Sequence, residues 1–565
     1  MFFSALATDY DDTLAQNGHV NEQTREALKR VRASGRKLIL VTGRELPELK
    51  GVFDELNLFD LIVAENGAVL FNPASNDEVV LADPVPPALV KRLRELNVSP
   101  LSIGHSIIAT REPNEIQVLE AIRDLSLEQH IIFNKGAVMV LPINVNKSFG
   151  LRHALDQLGL SLHNVVGIGD AENDQAFLSA CGCAVAVGNA LPSVKEKCDL
   201  VVADFSAGVV EICDRLVDED LASLSHVRSS RMPVLGESTD GKPIFLNPLE
   251  TTLVAGGSGA GKTTLVTAVL EQMRASKFQC CIIDPEGDYS ELPDATVLGD
   301  PSHPPRISAA MDLLENPQIS VVLNLLAIDL ADRPKFVIRL LSDIQTMRDD
   351  KGRPHWLVFD EVHHYFSADQ QSASSLPRKF PGVLAVTVHP SSVAGDFIAA
   401  VSTMVALGEE APATMKEFCS LTERSGPLDR IPLNSNGALI LGHDEAITTF
   451  TPRHPAVKQP RHVRKYAEGD LADQDSFYFT GRDGALRLRA KNLVAFLELS
   501  GGVDAETWEY HLAAGDYSRW FREKIKDAAL SADAVLVEND RSLSAEESYA
   551  RIKEIVQRRY TAPAN

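Results

Sequence analysis

The 565-residue sequence has few of the features that mark secreted or membrane proteins. Its seven cysteines include no CxxC pair and no cysteine and histidine cluster at zinc spacing, so neither a disulfide framework nor a structural zinc site is expected. No apolar run reaches the roughly 18 residues that a membrane-spanning helix requires. The apolar start of the chain is short and carries no basic residues, which argues against a leader peptide. We expect a cytoplasmic protein with reduced thiols and no membrane partner.

Positive charge is also scarce. The formal net charge is −23, and the deficit lies before Arg453, because the residues from there on carry equal numbers of basic and acidic side chains. A broad basic face for nucleic acid is therefore not expected, although a narrow basic pore is compatible with this balance. At roughly 100–200 residues per domain, the length predicts three or more domains.

Carboxylates follow the first apolar segment of the chain. Ser4 to Thr8 is predicted to be a buried strand, and DYDDT comes directly after it, which places Asp9 and Asp11 at its carboxyl end. Ligands bind at that edge of open α/β sheets. Two neighbouring carboxylates repel each other unless a cation lies between them, so Mg²⁺ is the expected cofactor. An acidic loop that caps a helix is the plainer alternative for this stretch alone.

Later stretches repeat the pattern of a strand followed by phosphate-binding or acidic residues. The apolar strand Leu38 to Val41 leads to Thr42, whose hydroxyl and neighbouring amides suit phosphate oxygens. Lys147 follows INVN. The remaining candidates follow the apolar start of GIGDAENDQAF, and they are Asp170, Asn173 and Asp174. The order of these motifs, each after a predicted strand, argues against chance.

The ordered motifs resemble the haloacid dehalogenase-like hydrolase superfamily over about residues 1–218. The stretches that carry the resemblance are DYDDT, VTGR, AENGAVLF, VNKSFG, GDAENDQAF and VGNA. The similarity extends to small phosphatases, including phosphoglycolate and sugar phosphatases, whose cap lies between the second and third motifs, at about residues 81–142 here. The resemblance implies a Rossmann-like α/β core with an inserted cap and a phosphorylated small-molecule substrate.

The resemblance also implies a role for each motif residue. Asp9 would attack phosphorus, while Asp11 would protonate the leaving oxygen and later activate water. Thr42 and Lys147 would neutralise the phosphoryl oxygens. The Mg²⁺ ligands would be Asp9, Asp11, Asp170 and Asp174, with Asn173 in support. One departure from the family is Asp12, where Gly is frequent.

A second phosphate-binding motif begins at Gly256. The segment Phe245 to Ala255 is predicted to be a strand, and it is followed by GGSGAGKTT and a helix. In this pattern the glycines let backbone amides wrap the phosphates, Lys262 reaches the outer phosphates and Thr263 ligates Mg²⁺. The expected ATP-binding residues in this loop are Gly256, Gly257, Gly259, Gly261, Lys262, Thr263 and Thr264.

An acidic pair follows a later predicted strand, Trp356 to Phe359. Asp360 is suited to hold Mg²⁺, and Glu361 is suited to activate the attacking water. A water-activating glutamate favours ATP hydrolysis over phosphoryl transfer to an alcohol. The pair therefore argues against a fusion of polynucleotide kinase and phosphatase.

The stretches CCIIDPEGDY, RPHWLVFDEVHHYF and LAVTVHPSSV resemble the HerA-like ATPases and their relatives among conjugation ATPases and FtsK-type translocases, over about residues 232–451. The resemblance implies a RecA/HerA-like P-loop domain that assembles into a homo-oligomer, with a hexameric ring as the form in relatives. His389 stands where that group usually has Gln, so it would be a sensor of ATP or simply a strand cap. The candidates for an arginine donated to the neighbouring subunit are Arg378, Arg424 and Arg430.

The remaining sequence is predicted to be a linker, 452–475, and a small, mainly helical C-terminal domain, 476–565. The linker carries prolines and a basic cluster. In the helices beyond it, aromatic residues recur at helical spacing, which indicates a core rather than a platform for stacking bases. The aromatic side chains predicted to lie inside are Trp508, Tyr510, Trp520 and Phe521.

The sequence as a whole predicts an α/β multidomain protein with two activities. The favoured interpretation is a Mg²⁺-dependent phosphatase that acts on a phosphomonoester through an aspartyl-phosphate, fused to an ATP-hydrolysing motor domain. The alternative is an ATP-driven nucleic-acid translocase or defence complex whose phosphatase domain processes nucleic-acid ends or nucleotides, with DNA as a partner. In a third interpretation, bound ATP gates the phosphatase as a slow switch.

Overall fold

The computed structural model describes residues 1–221, 232–257, 259–369, 381–424, 438–442, 446–456, 471, 473, 475–481, 484, 486–525 and 527–560. The chain divides into two compact units, Met1–His454 and Pro455–Asn565. Among the described residues, no helix combines the length and the apolar character needed to cross a bilayer.

The first part of the first unit, up to residue 221, contains two sheets. Its strands are β1 (Ala5–Thr8), β2 (Lys37–Val41), β3 (Leu61–Ala64), β4 (Val69–Asn72), β5 (Asp77–Val80), β6 (Ser102–Ile103), β7 (Ile108–Arg111), β8 (Gln129–Asn134), β9 (Ala137–Pro142), β10 (Val165–Gly169), β11 (Cys183–Ala186) and β12 (Leu200–Val201). Its helices are α1 (Glu22–Ala33), α2 (Leu46–Val52), α3 (Pro87–Glu95), α4 (Glu115–Asp124), α5 (Lys147–Leu158), α6 (Gln175–Ala180), α7 (Pro192–Lys195) and α8 (Phe205–Glu219).

The larger of these sheets is a Rossmann-like α/β core. Its strand order is β12-β11-β10-β1-β2-β3-β4-β5, and the strands from β12 to β3 run parallel. The central strands β1 and β10 are apolar and buried along their whole length, as expected for parallel strands covered on both faces. The predicted strands 4–8 and 38–41 correspond to β1 and β2.

The smaller sheet is inserted between β5 and α5, within the region predicted to be a cap. Its strands are antiparallel in the order β6-β7-β9-β8. Helices α3 and α4 pack together and share a small apolar core with the sheet, which includes Leu89, Leu93, Val118 and Val140. The inserted region therefore has a core of its own.

One contact between the inserted region and the core sheet is made by Glu65. Its carboxylate is buried and accepts the backbone N–H groups of His105 and Ser106, each at 3.0 Å. A side chain at Gly104 would collide with this carboxylate, since an added Cβ would lie 2.6 Å from it. The close approach explains why glycine stands at position 104.

The second part of the first unit is built on a sheet of eleven described strands. They are β13 (Val234–Ser238), β14 (Pro243–Phe245), β15 (Thr251–Ala255), β16 (Cys280–Asp284), β17 (Ala295–Leu298), β18 (Ser320–Asn324), β19 (Trp356–Phe359), β20 (Val383–Thr387), β21 (Thr403–Leu407), β22 (Ala438–Leu441) and β23 (Ile447–Pro452). The helices are α9 (Lys262–Ala275), α10 (Ile307–Leu314), α11 (Arg333–Lys351), α12 (Gly395–Ala400) and α13 (Ala411–Thr422).

The order of this sheet is β14-β13-β23-β22-β21-β15-β20-β19-β16-β18-β17, and the strands from β21 to β17 are parallel. The prediction of one strand over 245–255 is wrong, because β14 ends at Phe245 and β15 begins at Thr251. Between them, Asn247 Oδ1 accepts the N–H of Leu249 at 2.9 Å. This local hydrogen bond and Pro248 turn the chain.

A buried polar contact joins the two parts of the first unit. Asn164, just before β10, donates from Nδ2 to the carbonyls of Phe2 (2.7 Å) and Gly352 (3.0 Å). His355, just before β19, accepts the N–H of Gln279 at Nδ1 (2.8 Å). Its Nε2 therefore carries the proton that Asn164 Oδ1 accepts at 3.1 Å. The two parts are thus in contact next to the first residues of β10 and β19.

The second unit is a hairpin of Phe477–Phe479 and Leu488–Ala490 with helices around it. The helices span Leu493–Ser500, Ala505–Ala513, Asp516–Glu523, Ala528–Asn539 and Ala545–Tyr560. Of the four aromatic side chains predicted to lie inside, Trp508, Trp520 and Phe521 are buried. The prediction is wrong for Tyr510, which is 38% exposed, because it lies on the outer face of its short helix.

Candidate active sites

The first candidate site lies where three neighbouring strands of the core sheet end. Asp9 follows β1, Thr42 follows β2 and Asp170 follows β10. Because the three strands are parallel and adjacent, the three residues gather at one edge of the sheet. Lys147 enters as the first residue of α5, whose N-cap Asn146 accepts the N–H of Phe149. The structure therefore brings together residues that are far apart in the sequence.

Lys147 links two of the carboxylates. Its ammonium donates to Asp9 Oδ1 at 2.5 Å and to Asp174 Oδ1 at 2.6 Å. The other oxygen of Asp174 accepts the N–H groups of Asp170 and Ala171, both at 2.9 Å. Lys147 is 2% exposed, and Asp9 is 4% exposed. The nucleophile candidate thus lies in a nearly dry site in contact with a buried cation.

Burial and the neighbouring charges both shift the pKa values of these groups. Burial, followed by repulsion from Asp174, raises the pKa of Asp9 well above that of an ordinary carboxyl, and Lys147 opposes the rise. Burial by itself lowers the pKa of Lys147, but Asp174 and Asp9 outweigh it, so the net pKa is raised and the lysine stays charged. Burial likewise raises the pKa of Asp170. The carboxylates are therefore held close together with too little positive charge beside them.

Among the described residues, one group of carboxylates has the arrangement that a metal ion requires. Ligand atoms of Asp9, Asp170 and Asp174 all lie within 4.8 Å of one another. An all-oxygen set of this kind suits Mg²⁺. Asp11, which was also predicted to be a ligand, does not belong to this group.

Asp11 is instead paired with Arg44. Arg44 Nε donates to Asp11 Oδ2 at 2.8 Å, and Nη2 donates to Oδ1 at 2.7 Å. Such a two-point contact fixes the orientation of a carboxylate. The hydrogen bond to Asp11, opposed by burial, raises the pKa of Arg44. The Asp11 side chain is 46% exposed, so it lies at the rim of the site.

Asn173 is held by a second asparagine. Its Nδ2 donates to Asn66 Oδ1 at 2.9 Å. Its own Oδ1 is buried and has no hydrogen-bond partner among the described residues. A buried carbonyl oxygen without a partner is costly unless a ligand satisfies it. The amide is therefore oriented, with an acceptor left available beside Asp170 and Asp174.

One residue of the site was missed in the sequence. Lys135, in the turn between β8 and β9, donates from Nζ to Asp12 Oδ2 and to Asp170 Oδ2, each at 2.6 Å. Burial by itself lowers the pKa of Lys135, but the two carboxylates outweigh it, so the net pKa is raised. The available signal was the pair Lys135-Gly136 in a hairpin turn, where Asn-Gly is usual.

The second candidate site is the loop between β15 and α9. Gly259 and Gly261 adopt φ of 79° and 93°, which glycine tolerates and other residues rarely do. Lys262 Nζ donates to the carbonyls of Gly256 (2.7 Å) and Gly257 (3.3 Å). Thr263 and Thr264 follow in the first turn of α9. The strand, loop and helix are therefore in the order that the motif predicts.

The acidic pair follows β19, which is separated from β15 by β20. Asp360 is buried, and Glu361 adopts φ of 44°, an uncommon backbone conformation for a glutamate. Strained residues of this kind cluster at functional sites. His363 is half-buried, and its Nδ1 lies 3.5 Å from Glu361 Oε2.

The residue that ends β20 is Thr387, and His389 lies two positions further on. Thr387 Oγ1 lies 3.2 Å from His363 Nδ1 and donates to the carbonyl of His389 at 3.3 Å. Burial, then repulsion by His364, Lys262 and His389, lowers the pKa of His363 to about 4. His363 therefore lies close enough to Lys262 and to His389 for their charges to act on it.

Of the candidate arginines, Arg424 folds back onto its own chain. It donates to the carbonyls of Ser402 (3.0 Å) and Val401 (2.9 Å). Arg378 and Arg430 lie outside the described residues. The geometry therefore does not single out an arginine for a neighbouring subunit.

Comparison with known proteins identifies the family of the region that contains the first site. The family model for haloacid dehalogenase-like hydrolases matches residues 6–100 and 98–212. A phosphoglycolate phosphatase of Methanothermobacter thermautotrophicus is 32% identical over 224 residues, covering 38% of this chain and 98% of that protein. A phosphoglycolate phosphatase of Methanobrevibacter smithii is 28% identical over 233 residues, covering 38% and 100%. The chain belongs to the haloacid dehalogenase-like hydrolase family, and this region is a phosphatase domain of that family.

The other matches are more limited. Residues 247–295 match the family model for the DNA-binding domain of type IV secretion-system coupling proteins. Among solved structures, a haloacid dehalogenase-like hydrolase from Bacteroides thetaiotaomicron aligns with 19% identity and a TM-score of 0.34, covering 38% of this chain and 99% of that one.

Proposed function

We propose that the chain is a Mg²⁺-dependent phosphomonoester phosphatase fused to an ATP-hydrolysing domain. The observation that carries the phosphatase part is the contact of the buried Lys147 ammonium with Asp9 and Asp174 at the carboxyl edge of the core sheet. A carboxylate nucleophile beside a buried cation suits attack on a phosphoryl group. Family membership supports the same assignment.

In this proposal each side chain has a defined role in the reaction. Asp9 attacks phosphorus and forms an aspartyl-phosphate, and Lys147 and Thr42 stabilise the charge on the phosphoryl oxygens. Asp11 protonates the leaving oxygen and then activates the water that hydrolyses the intermediate. The two-point contact with Arg44 holds the Asp11 carboxylate in one orientation at the rim, and it would have to open at one oxygen before that oxygen could carry the proton.

The residues present fit a divalent cation. Within the described part of the chain, the cations that contact Asp9, Asp12, Asp170 and Asp174 are Lys135 and Lys147, so ionisation of all four carboxyls would leave two negative charges to be balanced. Asp9, Asp170 and Asp174 would hold Mg²⁺, with the free Oδ1 of Asn173 in support. When bound, the ion would supply positive charge that neutralises the transferring phosphoryl group.

The test is phosphate release from phosphoglycolate, the substrate in the names of the two relatives, with and without Mg²⁺. We expect turnover that requires Mg²⁺ and that is lost in Asp9→Asn. Release that persists at the wild-type rate in Asp9→Asn would reject the assignment of Asp9. An enzyme inactive on phosphoglycolate and on a panel of small phosphomonoesters would reject the phosphatase proposal itself.

The second part of the proposal is ATP hydrolysis at the loop after β15. Gly256, Gly257, Gly259, Gly261, Lys262, Thr263 and Thr264 would bind the nucleotide, with His389 as a sensor. Asp360 would hold Mg²⁺, and Glu361 would activate water. The left-handed glycines and the strained backbone of Glu361 support this proposal. A homo-oligomer, in the form of a ring, is part of it by analogy with the HerA-like ATPases.

The second candidate function is ATP-driven translocation of nucleic acid, with phosphatase action on nucleic-acid ends or nucleotides. It is favoured by the match of residues 247–295 to a DNA-binding domain model. The discriminating measurement is the steady-state ATPase rate with and without single-stranded and double-stranded DNA, with Lys262→Ala as the blank. Strong stimulation by DNA would select the translocase, and a rate independent of DNA would select the metabolic phosphatase with a regulatory ATPase.

A further inference from the structure

The turn that carries Lys135 has an unusual composition for its geometry. Asn134 pairs with Ala137 across the hairpin of β8 and β9, so Lys135 and Gly136 form a two-residue turn. Their φ angles are 47° and 81°, the left-handed values that favour Asn-Gly or Gly-Gly. Lysine is disfavoured in this conformation because its Cβ crowds the backbone. A lysine at this position therefore points to a role for its side chain rather than for the turn.

The side chain reaches from the inserted region into the site of the core sheet. Its ammonium contacts Asp12, in the loop after β1, and Asp170, directly after β10. Asp170 belongs to the group of carboxylates that would hold Mg²⁺. Lys135 is thus a cation of the inserted region that stands beside the carboxylates around Asp9.

A divalent cation and Lys135 would compete for Asp170. Both are positive, and the Oδ2 atom of Asp170 already accepts the ammonium at 2.6 Å. With the ion bound, repulsion would weaken this contact and leave the ammonium facing the substrate. An anionic group close to the ester oxygen would then be its natural partner.

We propose that Lys135 is a specificity-determining residue that binds a carboxylate on the leaving group of a small phosphomonoester. This inference rests on the proposed phosphatase function and deepens it, because it names the substrate class. Phosphoglycolate belongs to that class, since its carboxylate lies two bonds from the ester oxygen. A neutral leaving group of the same size lacks the charge that the ammonium would bind.

The test compares kcat/KM for phosphoglycolate with kcat/KM for 2-hydroxyethyl phosphate, which replaces the carboxylate with a neutral hydroxymethyl group. In Lys135→Asn we expect the ratio of the two values to fall about tenfold or more, through KM for phosphoglycolate. Lys135→Arg keeps the charge and should retain most of the ratio. Asn suits the left-handed turn, so Lys135→Asn should melt no lower than the wild type, which separates loss of the charge from loss of the fold.

A matched control is Arg123→Ala. Arg123 is an exposed cation of the same region that pairs with its neighbour Asp124, and its removal should leave the ratio at the wild-type value. A second readout does not depend on turnover: Mg²⁺ titrated calorimetrically into substrate-free protein should bind several-fold more tightly to Lys135→Asn, because a competing charge is gone.

Three results would overturn the inference. The first is a wild-type enzyme with no preference for phosphoglycolate over 2-hydroxyethyl phosphate. The other two are forms of one outcome, a folded Lys135→Asn variant whose ratio is unchanged, either because neither substrate is affected or because both lose equally. In each case the wild type still releases phosphate, so the phosphatase proposal stands. If the wild type releases phosphate from neither substrate, the phosphatase proposal fails, and this inference fails with it.

Discussion

The two candidate phosphate sites of the first unit are built from different parts of the chain. The phosphatase site is made of charged side chains: Lys147 joins Asp9 to Asp174, and Lys135 joins Asp170 to Asp12. The loop at Gly256 is made mainly of backbone, and its lysine, Lys262, is bonded to the loop's own carbonyls. In the first site the lysines are bonded to carboxylates, and in the second the lysine is bonded to backbone carbonyls of a glycine-rich loop.

This difference affects how far each site is prepared for a ligand. In the phosphatase site the ammonium of Lys147 already lies against the nucleophile, so little has to move when a phosphoryl group arrives. In the loop, Lys262 must leave the carbonyls of Gly256 and Gly257 before it can reach a phosphate. We infer that nucleotide binding rearranges the second site more than a phosphomonoester rearranges the first.

The two candidate sites follow strands that start from one shared contact. Asn164 and His355 meet where the two parts of the unit pack, and they immediately precede β10 and β19. The far ends of these strands lead to Asp170 and Asp360. Each strand therefore runs from the shared contact towards its own candidate site.

The largest expected effect comes from removing the carboxylate of Asp9, the nucleophile in our proposal. In Asp9→Asn the amide keeps the shape of the side chain but cannot form the covalent intermediate, so kcat for phosphate release should fall on the order of 10⁴-fold or more. The measurement is phosphate release from phosphoglycolate under saturating Mg²⁺. ATP hydrolysis by the same variant should be unchanged, because its site lies at the far end of a different sheet. A parallel loss of ATP hydrolysis would show that the two sites are not independent.

The reciprocal experiment removes Glu361, the water-activating group in our proposal for the second site. Glu361→Gln should lower the ATP hydrolysis rate by on the order of 10²-fold to 10⁴-fold, the range for loss of a general base, while ATP still binds. Binding is followed with a fluorescent ATP analogue and hydrolysis by phosphate release, with Lys262→Ala as the variant that should lose binding. An unchanged hydrolysis rate would move the water-activating role to another residue, with His363 the nearest alternative.

Some residues of the phosphatase site could be predicted from the sequence and others could not, and the reason is physical. Residues such as Asp9, Thr42 and Asp170 each end an apolar strand, so a parallel sheet brings them together whatever their spacing. Lys135 could not be found in this way, because its contact depends on where a hairpin of the inserted region comes to rest. The same holds for the pairing of Asp11 with Arg44, which only the folded chain determines.

Errors in the fold prediction have similarly local causes. The predicted strand over 245–255 is interrupted because Asn247 bonds the backbone at Leu249 in competition with the sheet. Tyr510 was expected inside because aromatic residues recur at helical spacing in this region, but it lies two positions from Trp508, and residues two apart on a helix face different directions. The contact between Asn164 and His355 had no sequence signal, since a single polar residue before a strand has many possible partners.

A smaller effect is expected at the rim of the phosphatase site. Arg44→Lys keeps the positive charge but removes the two-point contact with Asp11, so Asp11 should lose its fixed orientation. We expect kcat for phosphoglycolate to fall about tenfold to 100-fold, as for a modest misplacement of a catalytic group. The control is Arg25→Lys, since Arg25 pairs with Glu55 away from the site. A wild-type kcat in Arg44→Lys would mean that Asp11 needs no such positioning.

The smallest expected effect concerns the contact between the two parts of the unit. Burial, then repulsion by His163, lowers the pKa of His355 well below 6.5, so the folded protein keeps this histidine neutral while the unfolded chain protonates it near pH 6.5. As the pH falls below 6.5, the unfolded state binds a proton that the folded state does not, and stability is lost by up to about 1.4 kcal/mol per pH unit.

Replacing His355 removes this contribution to the pH dependence of stability. This holds whether or not the replacement changes stability at neutral pH. Between pH 6.5 and 5.5 the melting temperature of His355→Gln should fall by about 1 to 2 °C less than that of the wild type. The exposed His130, replaced by Gln, is the control and should melt with the wild-type pH dependence. Equal pH dependence in His355→Gln and the wild type would mean that His355 takes up its proton in the folded state as well. The contact would then be open to water rather than closed to it.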